Sequence, residues 1–438
     1  METTIPKNDQ LAQEAMQWVE HFIQPLENKA FAVELWNGMR WEPSDRPAQV
    51  TLVIREPGVL RTLFLSGGTQ ALAELYMSGR ADVVGDFEAL IPLIDHLIAL
   101  KPTIGEWFSL ARYALKLPRV TTAPPTAETS QGSYQPAVLS GDVKGRQRVK
   151  DAIKYHYDLP SKFWQLWLDP YMQYTCAYFH SPEDDLPTAQ LQKLEHICQK
   201  LRLQSGDRFL DMGCGWGGLI IYAAKHYNVR ATGVTLSRLQ AEHAQNWIKQ
   251  EGLEDVCQVE FCDFRDAKKF GTFDKISGVG ITEHLTSALI NEYFQAAWNC
   301  LNPGGILFNQ ASGCSIRQPL RKESHSFITE YIFPNTEILL IGDLLRAAEN
   351  AGFEVRDLEN LREHYELTLR HWKQRFEDNA DGVSEFFDDS AYRAYQMYFT
   401  GCIYDFKIGR NNLYQTLFVK PSENKSGMPL TRQYLYSS

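Results

Sequence analysis

The chain has 438 residues, of which 44% are hydrophobic, and a formal net charge of −10 at neutral pH. This length suffices for two or more domains. The negative charge argues against nucleic acid as a partner but leaves membrane contact through an apolar or locally basic surface open. No apolar run of transmembrane length and no secretory leader pattern are present, and the eight cysteines lack CxxC pairs. We therefore expect a cytoplasmic protein with reduced thiols and no metal site.

A smaller α+β domain is predicted for residues 1–116. Periodic apolar positions predict helices over residues 11–22, 71–77, 87–100 and 104–115. Runs of β-branched and aromatic residues around Asn37 and Gly38 predict a β-hairpin over residues 31–41, and a further strand is predicted over residues 49–54. Residues 117–145 are rich in Pro, Ser, Thr, Gly and Ala, a composition typical of a linker.

From residue 146 to residue 423, predicted strands alternate with predicted helices. The strands are predicted over residues 208–211, 230–235, 259–262, 275–279, 305–310, 353–357 and 415–419. Because strands separated by helices usually pair in parallel, we expect a doubly wound, mostly parallel α/β sheet with helices on both faces. The remaining residues, 424–438, form a polar tail that we expect to be disordered.

Residues 209–218 carry the most informative pattern in the chain, which is an apolar strand, an acid and then closely spaced glycines. Asp211 ends the strand, Gly213, Gly215 and Gly218 follow, and an apolar helix begins directly after them. Glycines at such a turn let a ligand approach the backbone closely, with φ values that other residues resist. The pattern is typical of the first crossover of a doubly wound sheet that binds a nucleotide-like cofactor.

The ends of the next two strands indicate which cofactor this is. A dinucleotide site places an acid at the end of the second strand, but here that strand ends at Thr235 without one. Asp211 stands instead where it can face a cationic amino-acid head group. Asp263 and Phe264 follow the third strand, where they suit the exocyclic amine and the ring face of an adenine. Together these residues favour S-adenosylmethionine.

Three further segments combine aromatic rings with polar groups near the predicted site. Residues 155–179 precede the glycine turn, and their rings suit either a cover over the cofactor with an apolar substrate pocket or an ordinary core. Glu283 and His284 follow a strand at the ligand-binding edge of the sheet, where Glu283 serves either the site or the positive end of the next helix. Residues 362–372, on a predicted helix, mostly have the spacing of core positions.

Taken together, these segments resemble the cyclopropane-fatty-acid synthase family, which includes the mycolic-acid cyclopropane synthases. The resemblance covers residues 149–420 and rests on motifs in family order and spacing, at residues 155–159, 173–179, 210–218, 233–240, 283–284, 331–334 and 401–402. The amino-terminal domain is also similar to that of such synthases, most recognisably over residues 71–86. The resemblance implies a class I methyltransferase with a Rossmann-like sheet.

The resemblance also implies an activity, which is transfer of a one-carbon unit from S-adenosylmethionine to the cis double bond of an unsaturated phospholipid acyl chain, with a cyclopropane fatty acid as the expected product. The cofactor residues carried over are Tyr174, Thr175, Gly213, Gly215, Thr235, Leu236, Gln240 and Phe264, which join Asp211 and Asp263. Cys176, Glu283 and Tyr365 are implied to belong to a site that holds a bicarbonate ion as base. His284 is a second candidate base, and Cys402 is either an active-site residue or a packed thiol.

One position departs from the family pattern. Where the family carries a histidine that contacts the bicarbonate, alignment on Gly313 places Gln310. Glutamine donates a hydrogen bond but does not share a proton as imidazole does. The substitution therefore bears on ring closure more than on methyl transfer, and a methyl-branched or methylene-bearing chain is the alternative product.

The implied partner is an unsaturated phospholipid, reached by transient peripheral contact with the inner face of the membrane. Family precedent implies that the amino-terminal domain, residues 1–116, handles lipid and builds a homodimer. Two other functions stay open, namely N-methylation of a small amine and lipid binding by a vestigial cofactor fold. The separate amino-terminal domain argues against the first, and the intact glycine turn with Gln240 and Glu283 argues against the second.

Overall fold

The computed structural model describes most of the chain, whose contacts divide it into two compact units. The described residues are 7–26, 29–43, 45–66, 68–100, 103–120, 134–317 and 326–436. The first unit comprises Met1–Pro136, Glu323–Tyr331 and Phe387–Tyr404, and the second comprises Ala137–Lys322, Ile332–Phe386 and Asp405–Ser438. Part of the predicted linker, residues 121–133, lies outside the described residues.

Helices and strands are numbered in chain order. The helices are α1 (Lys7–Ile23), α2 (Pro57–Ser66), α3 (Gly68–Met77), α4 (Ile91–Ala99), α5 (Ile104–Lys116), α6 (Arg146–Tyr157), α7 (Ser161–Gln165), α8 (Leu186–Leu201), α9 (Gly218–Tyr227), α10 (Arg238–Gln250), α11 (Ile290–Cys300), α12 (Ile341–Asn350), α13 (Arg362–Asp378), α14 (Ala380–Ser384) and α15 (Asp389–Lys407). The strands are β1 (Phe31–Glu34), β2 (Arg40–Trp41), β3 (Val50–Ile54), β4 (Ala81–Gly85), β5 (Arg208–Met212), β6 (Arg230–Thr235), β7 (Cys257–Phe261), β8 (Phe273–Val279), β9 (Leu301–Cys314), β10 (Glu354–Asn360) and β11 (Asn411–Val419). Among the helices described, none combines the length and hydropathy needed to cross a bilayer.

The second unit is built around a seven-stranded sheet with the order β10-β11-β9-β8-β5-β6-β7. β5 to β9 pair in parallel, and β11 runs antiparallel to both of its neighbours. All seven predicted strands form, so the doubly wound, mostly parallel α/β fold is confirmed. β9 and β11 extend beyond their predicted ends because they pair with each other along their length, from Asn411–Cys314 to Val419–Ile306.

Apolar side chains cover both faces of this sheet. Leu210 belongs to one buried cluster, under α11 and α12, and Phe209 belongs to another, under α8, α9 and α10. Neighbouring residues of β5 thus serve opposite faces, as the alternation of side chains along a strand requires. β5 is buried on both faces, and its consecutive apolar residues Phe209 and Leu210 helped to make this strand predictable.

The winding of the sheet reverses at β5, because β6 lies on one side of it and β8 on the other. At such a switch point the loops after adjacent strands diverge and leave a crevice, in which ligands of open α/β sheets bind. The loop from β5 to α9 is the predicted glycine turn. The fold therefore places that turn at the crevice.

The first unit contains a four-stranded sheet with the order β2-β1-β3-β4. The predicted hairpin forms between β1 and β2, and β3 pairs in parallel with β1. Two elements were not predicted, namely α2, which begins at Pro57, and the short strand β4. The single helix predicted over residues 87–100 is wrong in detail, because a 3₁₀ turn (Phe87–Leu90) precedes α4, which has a proline in its first turn.

The expected disorder of the polar tail is wrong for residues 424–436, which pack against other parts of the second unit. Met428 packs against the cluster under α8, α9 and α10. Arg432 Nε donates to Asp357 Oδ1 at 2.6 Å, and the guanidinium of Arg202 lies 5.9 Å from the ring centroid of Tyr434. The polar composition of this segment did not reveal these partners, which come from distant parts of the chain.

Candidate active site

A cavity lies at the switch point, between the loops that follow β5, β6 and β8 and the segment between α7 and α8. Its lining residues are Val149, Ile153, Tyr157, Met172, Gln173, Tyr174, Thr175, Asp211, Gly213, Cys214, Gly215, Trp216, Leu219, Val234, Thr235, Leu236, Gln240, Cys262, Phe264, Val279, Gly280, Ile281, His284 and Leu285. Every predicted cofactor residue except Asp263 is in this lining. The structure thus brings the strand ends singled out in the sequence to one place.

The glycine turn approaches the cavity with its backbone. Gly215 has a φ of +53°, and a Cβ atom built on it would meet no protein atom within 4 Å, although Gly215 lines the cavity. That space is open to a ligand. At Gly218 the contact is with the protein itself, since a Cβ atom there would lie 2.2 Å from the carbonyl oxygen of Tyr171. The turn therefore permits two close approaches, one by a ligand and one by the segment before α8.

Asp211 is a buried carboxyl group at the edge of the cavity. Ser277 Oγ donates to its Oδ1 at 2.6 Å, and its side chain is almost inaccessible to solvent. Burial raises the pKa of Asp211 to about 6, while Ser277 and the Lys193 ammonium oppose the rise. A cationic ammonium group bound beside Asp211 would favour its ionised form further. This suits the head group of S-adenosylmethionine.

Gln240 faces the cavity with its amide donors. Thr235 Oγ1 donates to Gln240 Oε1 at 2.7 Å, which occupies the oxygen and leaves the NH₂ group for a ligand. Ser237 caps α10 by accepting from the backbone N–H of Gln240 at 3.3 Å, and its hydroxyl donates to Asp158 Oδ1 at 2.8 Å. The start of α10 is therefore tied to the end of α6.

The predicted adenine pair is only partly assembled. Phe264 lines the cavity, and its ring packs edge-on against Tyr293 at 5.7 Å. The Asp263 carboxylate instead forms a bidentate ion pair with the guanidinium of Arg265, with Nη2–Oδ2 at 2.6 Å and Nε–Oδ1 at 2.9 Å. It also accepts from the backbone N–H of Arg265 at 2.9 Å. Contact between Asp263 and an adenine stays a prediction.

Aromatic rings enclose the cavity on the side of residues 155–179. Tyr157, Tyr174 and Trp216 line it. Trp164 lies fully buried behind them, with ring centroids 5.0 Å from Tyr174, 5.1 Å from Trp216 and 6.0 Å from Tyr157. Trp372 of α13 reaches Tyr174 at 5.0 Å from the other direction. The two interpretations of this segment are thus both realised, since some of its rings line the cavity and others form the core that supports them.

Two histidines beside these rings are neutral at neutral pH. Burial, with a contribution from His284, lowers the pKa of His156 to about 3, and burial lowers that of His284 to about 4. His284 Nε2 and Tyr157 Oη share a hydrogen bond at 2.9 Å, whose direction depends on the imidazole tautomer. Burial raises the pKa of the Tyr157 phenol, which stays protonated. The low pKa and the occupied nitrogen argue against His284 as a general base.

Glu283 carries a buried oxygen with no partner. The backbone N–H of Ser312 on β9 donates to its Oε1 at 2.8 Å, whereas Oε2 accepts no hydrogen bond from the residues described. Burial raises the pKa of Glu283 to about 7. The alternative role at a helix end is not seen, because the next helix, α11, begins only at Ile290. Glu283 is held against the sheet instead.

Gln310 stands at the end of a buried hydrogen-bond chain. Lys200 Nζ donates to Gln415 Oε1 at 2.9 Å, and Gln415 Nε2 donates to Gln310 Oε1 at 2.9 Å. Gln310 Nε2 then donates to the carbonyl oxygen of Cys176 at 3.4 Å. An ammonium group only donates, so it fixes the direction of every later bond. Gln310 is therefore held as a donor toward Cys176.

The other predicted catalytic residues have separate surroundings. Cys176 is buried, its thiol lies 3.2 Å from the carbonyl oxygen of Ala177, and burial raises its pKa well above the usual range, so it stays protonated. Tyr365, on α13, packs its ring edge-on against that of Trp372, with the ring centroids 6.0 Å apart. Cys402 lies on α15, within the part of that helix that belongs to the first unit. Its role stays a prediction.

Sequence reasoning missed Lys193, which is completely buried beneath the site. Its Nζ donates to Thr175 Oγ1 at 3.1 Å and to Gln173 Oε1. Burial lowers its pKa to about 8, and the Asp169 carboxylate opposes the shift. One lysine on an amphipathic helix carries no local signal of burial. Sequence reasoning also missed Trp216, which lines the cavity. Trp216 did carry a local signal, because it stands between two glycines of the cofactor turn.

Known proteins are similar to this chain in sequence and in fold. Residues 144–416 match the family model described as mycolic acid cyclopropane synthetase. A probable fatty acid methyltransferase from Pseudomonas putida is 33% identical over 409 residues, which are 92% of this chain and 95% of that protein. The cyclopropane-fatty-acyl-phospholipid synthase of Escherichia coli (strain K12) is 34% identical over 283 residues, which are 65% of this chain and 71% of that enzyme.

Solved structures give the same picture. The cyclopropane synthase MmaA2 from Mycobacterium tuberculosis superposes with a TM-score of 0.58 at 28% identity, over 64% of this chain and 99% of that one. The mycolic acid cyclopropane synthase CmaA1, complexed with SAH and CTAB, gives a TM-score of 0.58 at 29% identity, over 61% of this chain and 97% of that one.

The parallel sheet, the glycine turn and the cavity define a class I S-adenosylmethionine-dependent methyltransferase. The open space at Gly215, the buried Asp211 and the free amide of Gln240 all fit the cofactor. The chain belongs to the mycolic acid cyclopropane synthetase family, whose model spans most of the second unit. The family resemblance found in the sequence is confirmed.

Gly215→Ala should weaken cofactor binding, because the new methyl group would occupy ligand space. Gly252→Ala is the matched control, since Gly252 also has a positive φ of +67° and open space around a Cβ atom, but it lies in the turn before β7, outside the cavity lining. Both variants should lose roughly 1–2 kcal/mol of stability from left-handed strain. Calorimetry with S-adenosylhomocysteine should show at least a tenfold loss of affinity for Gly215→Ala alone, and equal affinities would contradict this placement.

Glu283→Gln should change the pH dependence of stability. The folded pKa of about 7 exceeds the reference value of 4.5, so folding favours the protonated carboxyl group. The wild type should lose this contribution as the pH rises from 4.5 through 7, by roughly 3 kcal/mol in total, whereas the neutral amide should not. Chemical denaturation at several pH values should therefore show Glu283→Gln gaining on the wild type above pH 5.

The control is Glu349→Gln at the exposed end of α12, for which the difference from the wild type should stay constant over the same pH range. Parallel curves for Glu283→Gln and the wild type would mean that Glu283 titrates normally.

Proposed function

We propose that this methyltransferase acts on the cis double bond of an unsaturated acyl chain carried by a phospholipid, and that a cyclopropane fatty acid is its product. The observation that carries the proposal is the cavity lined by the aromatic rings of Tyr157, Tyr174 and Trp216. Such an apolar lining suits a hydrocarbon chain better than a small hydrophilic amine. The cavity therefore favours a carbon nucleophile.

Two relatives support the substrate class. The Pseudomonas putida relative, which matches along almost its whole length, is named a probable fatty acid methyltransferase. The Escherichia coli relative is named a cyclopropane-fatty-acyl-phospholipid synthase. These names support an acyl chain as the substrate and a phospholipid as its carrier.

The residues of the cavity would bind the cofactor, stabilise positive charge and exclude water. S-adenosylmethionine supplies an electrophilic methyl group, and its attack by the alkene leaves a positive charge on the acyl chain. The electron-rich faces of Tyr157, Tyr174 and Trp216 stabilise such a charge. The buried rings behind them exclude water, which would otherwise quench the cation. Asp211 and Gln240 would hold the polar parts of the cofactor.

The proton that leaves the methylated chain needs an acceptor, and we assign this acceptor to the surroundings of Glu283 and Gln310. Glu283 Oε2 is a buried acceptor without a partner, and Gln310 Nε2 has a second hydrogen that makes no bond among the residues described. This donor and acceptor set, with Tyr365, fits bicarbonate, which both accepts and donates hydrogen bonds. A bicarbonate ion held there would supply the base. Gln310, fixed as a donor, would orient the ion without taking up the proton.

Because Gln310 donates a hydrogen bond but takes up no proton, a second product is also favoured. Ring closure requires a proton to leave the transferred methyl group, whose C–H electrons then form the last bond of the cyclopropane. When proton removal is slow, a hydride shift can first move the cation to the carbon that carries the methyl group. Loss of a methyl proton from that carbocation yields a methylene branch. The second candidate function is therefore formation of a methylene-branched fatty acid.

The proposal is tested with the full-length protein, isotope-labelled S-adenosylmethionine and vesicles of defined phospholipids. Label should enter cis-unsaturated chains, with a mass gain of one CH₂, and should not enter saturated chains. Proton NMR of the released fatty acid distinguishes cyclopropane protons from methylene protons. Labelling of small amines in place of every lipid tested would overturn the proposal.

Gln310→His alone should change the product ratio little, because Gln415 would still donate to the imidazole and hold its other N–H toward the site. Adding Gln415→Leu removes that donor and frees the imidazole to share a proton, while Lys200 keeps its ion pairs with Asp357 and Glu359. The double variant should raise the ratio of cyclopropane to methylene product several-fold, measured by gas chromatography with mass spectrometry.

Gln415→Leu alone is the control, and its product ratio should resemble that of the wild type. If the single Gln310→His variant shifts the ratio as strongly as the double variant, the fixed direction of the chain from Lys200 does not control the proton.

A further inference from the structure

A buried ammonium group contacts the wall of the cofactor cavity from the protein side. Lys193, on α8, does not line the cavity, but its Nζ donates to two residues that do, to Thr175 Oγ1 at 3.1 Å and to Gln173 Oε1. Burial lowers the pKa of Lys193 to about 8, while the nearby carboxylates of Asp169 and Asp211 favour its charged form. Lys193 is therefore mostly charged at neutral pH.

The contact with Lys193 sets the direction of the Thr175 hydroxyl group. An ammonium group has no acceptor, so Lys193 donates and Thr175 Oγ1 accepts. The hydroxyl hydrogen must then point elsewhere, and Thr175 Oγ1 makes no second hydrogen bond with any residue that the structure describes. Because Thr175 lines the cavity, this hydrogen is available to a ligand bound there.

Neighbouring hydrogen bonds hold the segment around Thr175 in place. Gln190 Nε2, one turn before Lys193 on α8, donates to the carbonyl oxygen of Thr175 at 2.9 Å and to that of Gln173 at 3.4 Å. Asp169 Oδ1 accepts from the backbone N–H of Gln173 at 2.8 Å. α8 thus makes two kinds of contact with this segment. Gln190 anchors its backbone through a neutral amide, and Lys193 orients its side chains through a charge.

A carboxylate bound in the cavity would find no cation in direct reach. Among the described residues that line the cavity none is a lysine or an arginine, and its histidine, His284, is neutral because burial lowers its pKa to about 4. The backbone N–H groups of Gly213 and Cys214 already donate to the carbonyl oxygen of Val234, at 2.9 and 3.0 Å.

The head group of S-adenosylmethionine carries such a carboxylate beside its ammonium group. A carboxylate that leaves water needs hydrogen-bond donors and a compensating charge. A hydroxyl group that is oriented by a buried ammonium supplies a donor at the wall and a positive charge directly behind it. Thr175 and Lys193 together meet both needs.

We propose that Lys193 is a positioning residue for the cofactor, and that it turns the Thr175 hydroxyl toward the cavity as a donor to the carboxylate of S-adenosylmethionine. The ammonium also polarises the hydroxyl group and strengthens its donation, because hydrogen bonds in a chain reinforce one another away from water. This role involves only the cofactor half of the site, so it does not depend on the acyl substrate proposed above.

The test compares two ligands that differ in one carboxylate, namely S-adenosylhomocysteine and its decarboxylated analogue, which keeps the amine. In calorimetry with the full-length protein near neutral pH, Lys193→Met should weaken binding of S-adenosylhomocysteine about tenfold or more. Binding of the analogue should weaken much less, and only because the lost charge also helps to keep Asp211 ionised. Equal losses for the two ligands would overturn the proposal.

Gln190→Met is the matched control. It removes another fully buried polar side chain that anchors the same segment, but it leaves the ammonium of Lys193 and the hydroxyl of Thr175 in place. Any affinity that this variant loses should be similar for the two ligands. If Gln190→Met discriminates between them as Lys193→Met does, the segment needs only anchoring and Lys193 has no directing role.

Two substitutions of Thr175 test the hydroxyl group itself, and they keep the proposal falsifiable if Lys193→Met does not fold. Thr175→Val has nearly the same shape without the hydroxyl, and it should lose affinity for S-adenosylhomocysteine about tenfold with little change for the analogue. Thr175→Ser should keep most of the preference for the carboxylate. A folded Thr175→Val variant that retains the preference of the wild type would overturn the proposal.

The double variant Lys193→Met with Thr175→Val shows whether the two residues act together. If Lys193 acts through the hydroxyl group, the double variant should discriminate between the ligands no less than Thr175→Val alone, whereas additive losses would mean that Lys193 acts by another route. None of these measurements uses a lipid. Failure of the Lys193 role therefore leaves the proposed reaction standing, and failure to label lipids leaves the Lys193 role standing.

Discussion

Burial of the titratable side chains around the crevice at the switch point is the constraint on which the rest of the site depends. It makes His156 and His284 neutral, brings the pKa of Glu283 to about 7 and keeps the Cys176 thiol protonated. Each shift has the same first cause, which is the cost of holding a charge away from water. The aromatic rings that bury these groups therefore influence their pKa values without forming hydrogen bonds to them.

Against that background, hydrogen bonds assign the polar side chains their directions. Lys200 is buried and held by Asp357 and Glu359 at 3.4 and 2.6 Å, and its donors reach Gln310 through Gln415. In water, amide side chains would change their hydrogen-bond partners rapidly. These buried amides keep one hydrogen-bond direction because no solvent competes for it. A lysine on α8 thus acts on the site through two glutamines of the sheet.

Much of the second unit could be predicted from the sequence, because predicted strands alternate with predicted helices and the glycine turn has few alternatives. The partners of buried charges could not. Lys193 and Lys200 read as ordinary helix residues, and the pairing of Asp263 with Arg265 competes with the predicted adenine contact. The direction of Gln310 depends on β11, which lies more than a hundred residues away in the chain. Such features are set by tertiary contacts that periodicity does not record.

The uncharged aromatic rings that line the cavity affect the exchange of used cofactor for fresh cofactor. In the proposed reaction, the sulfonium would carry the positive charge that Tyr157, Tyr174 and Trp216 favour before transfer, and the acyl chain would carry it afterwards within the same enclosure. The thioether that remains on the spent cofactor is uncharged and no longer has this attraction. One set of aromatic faces would thereby retain a fresh cofactor more strongly than a used one, which favours exchange after each reaction.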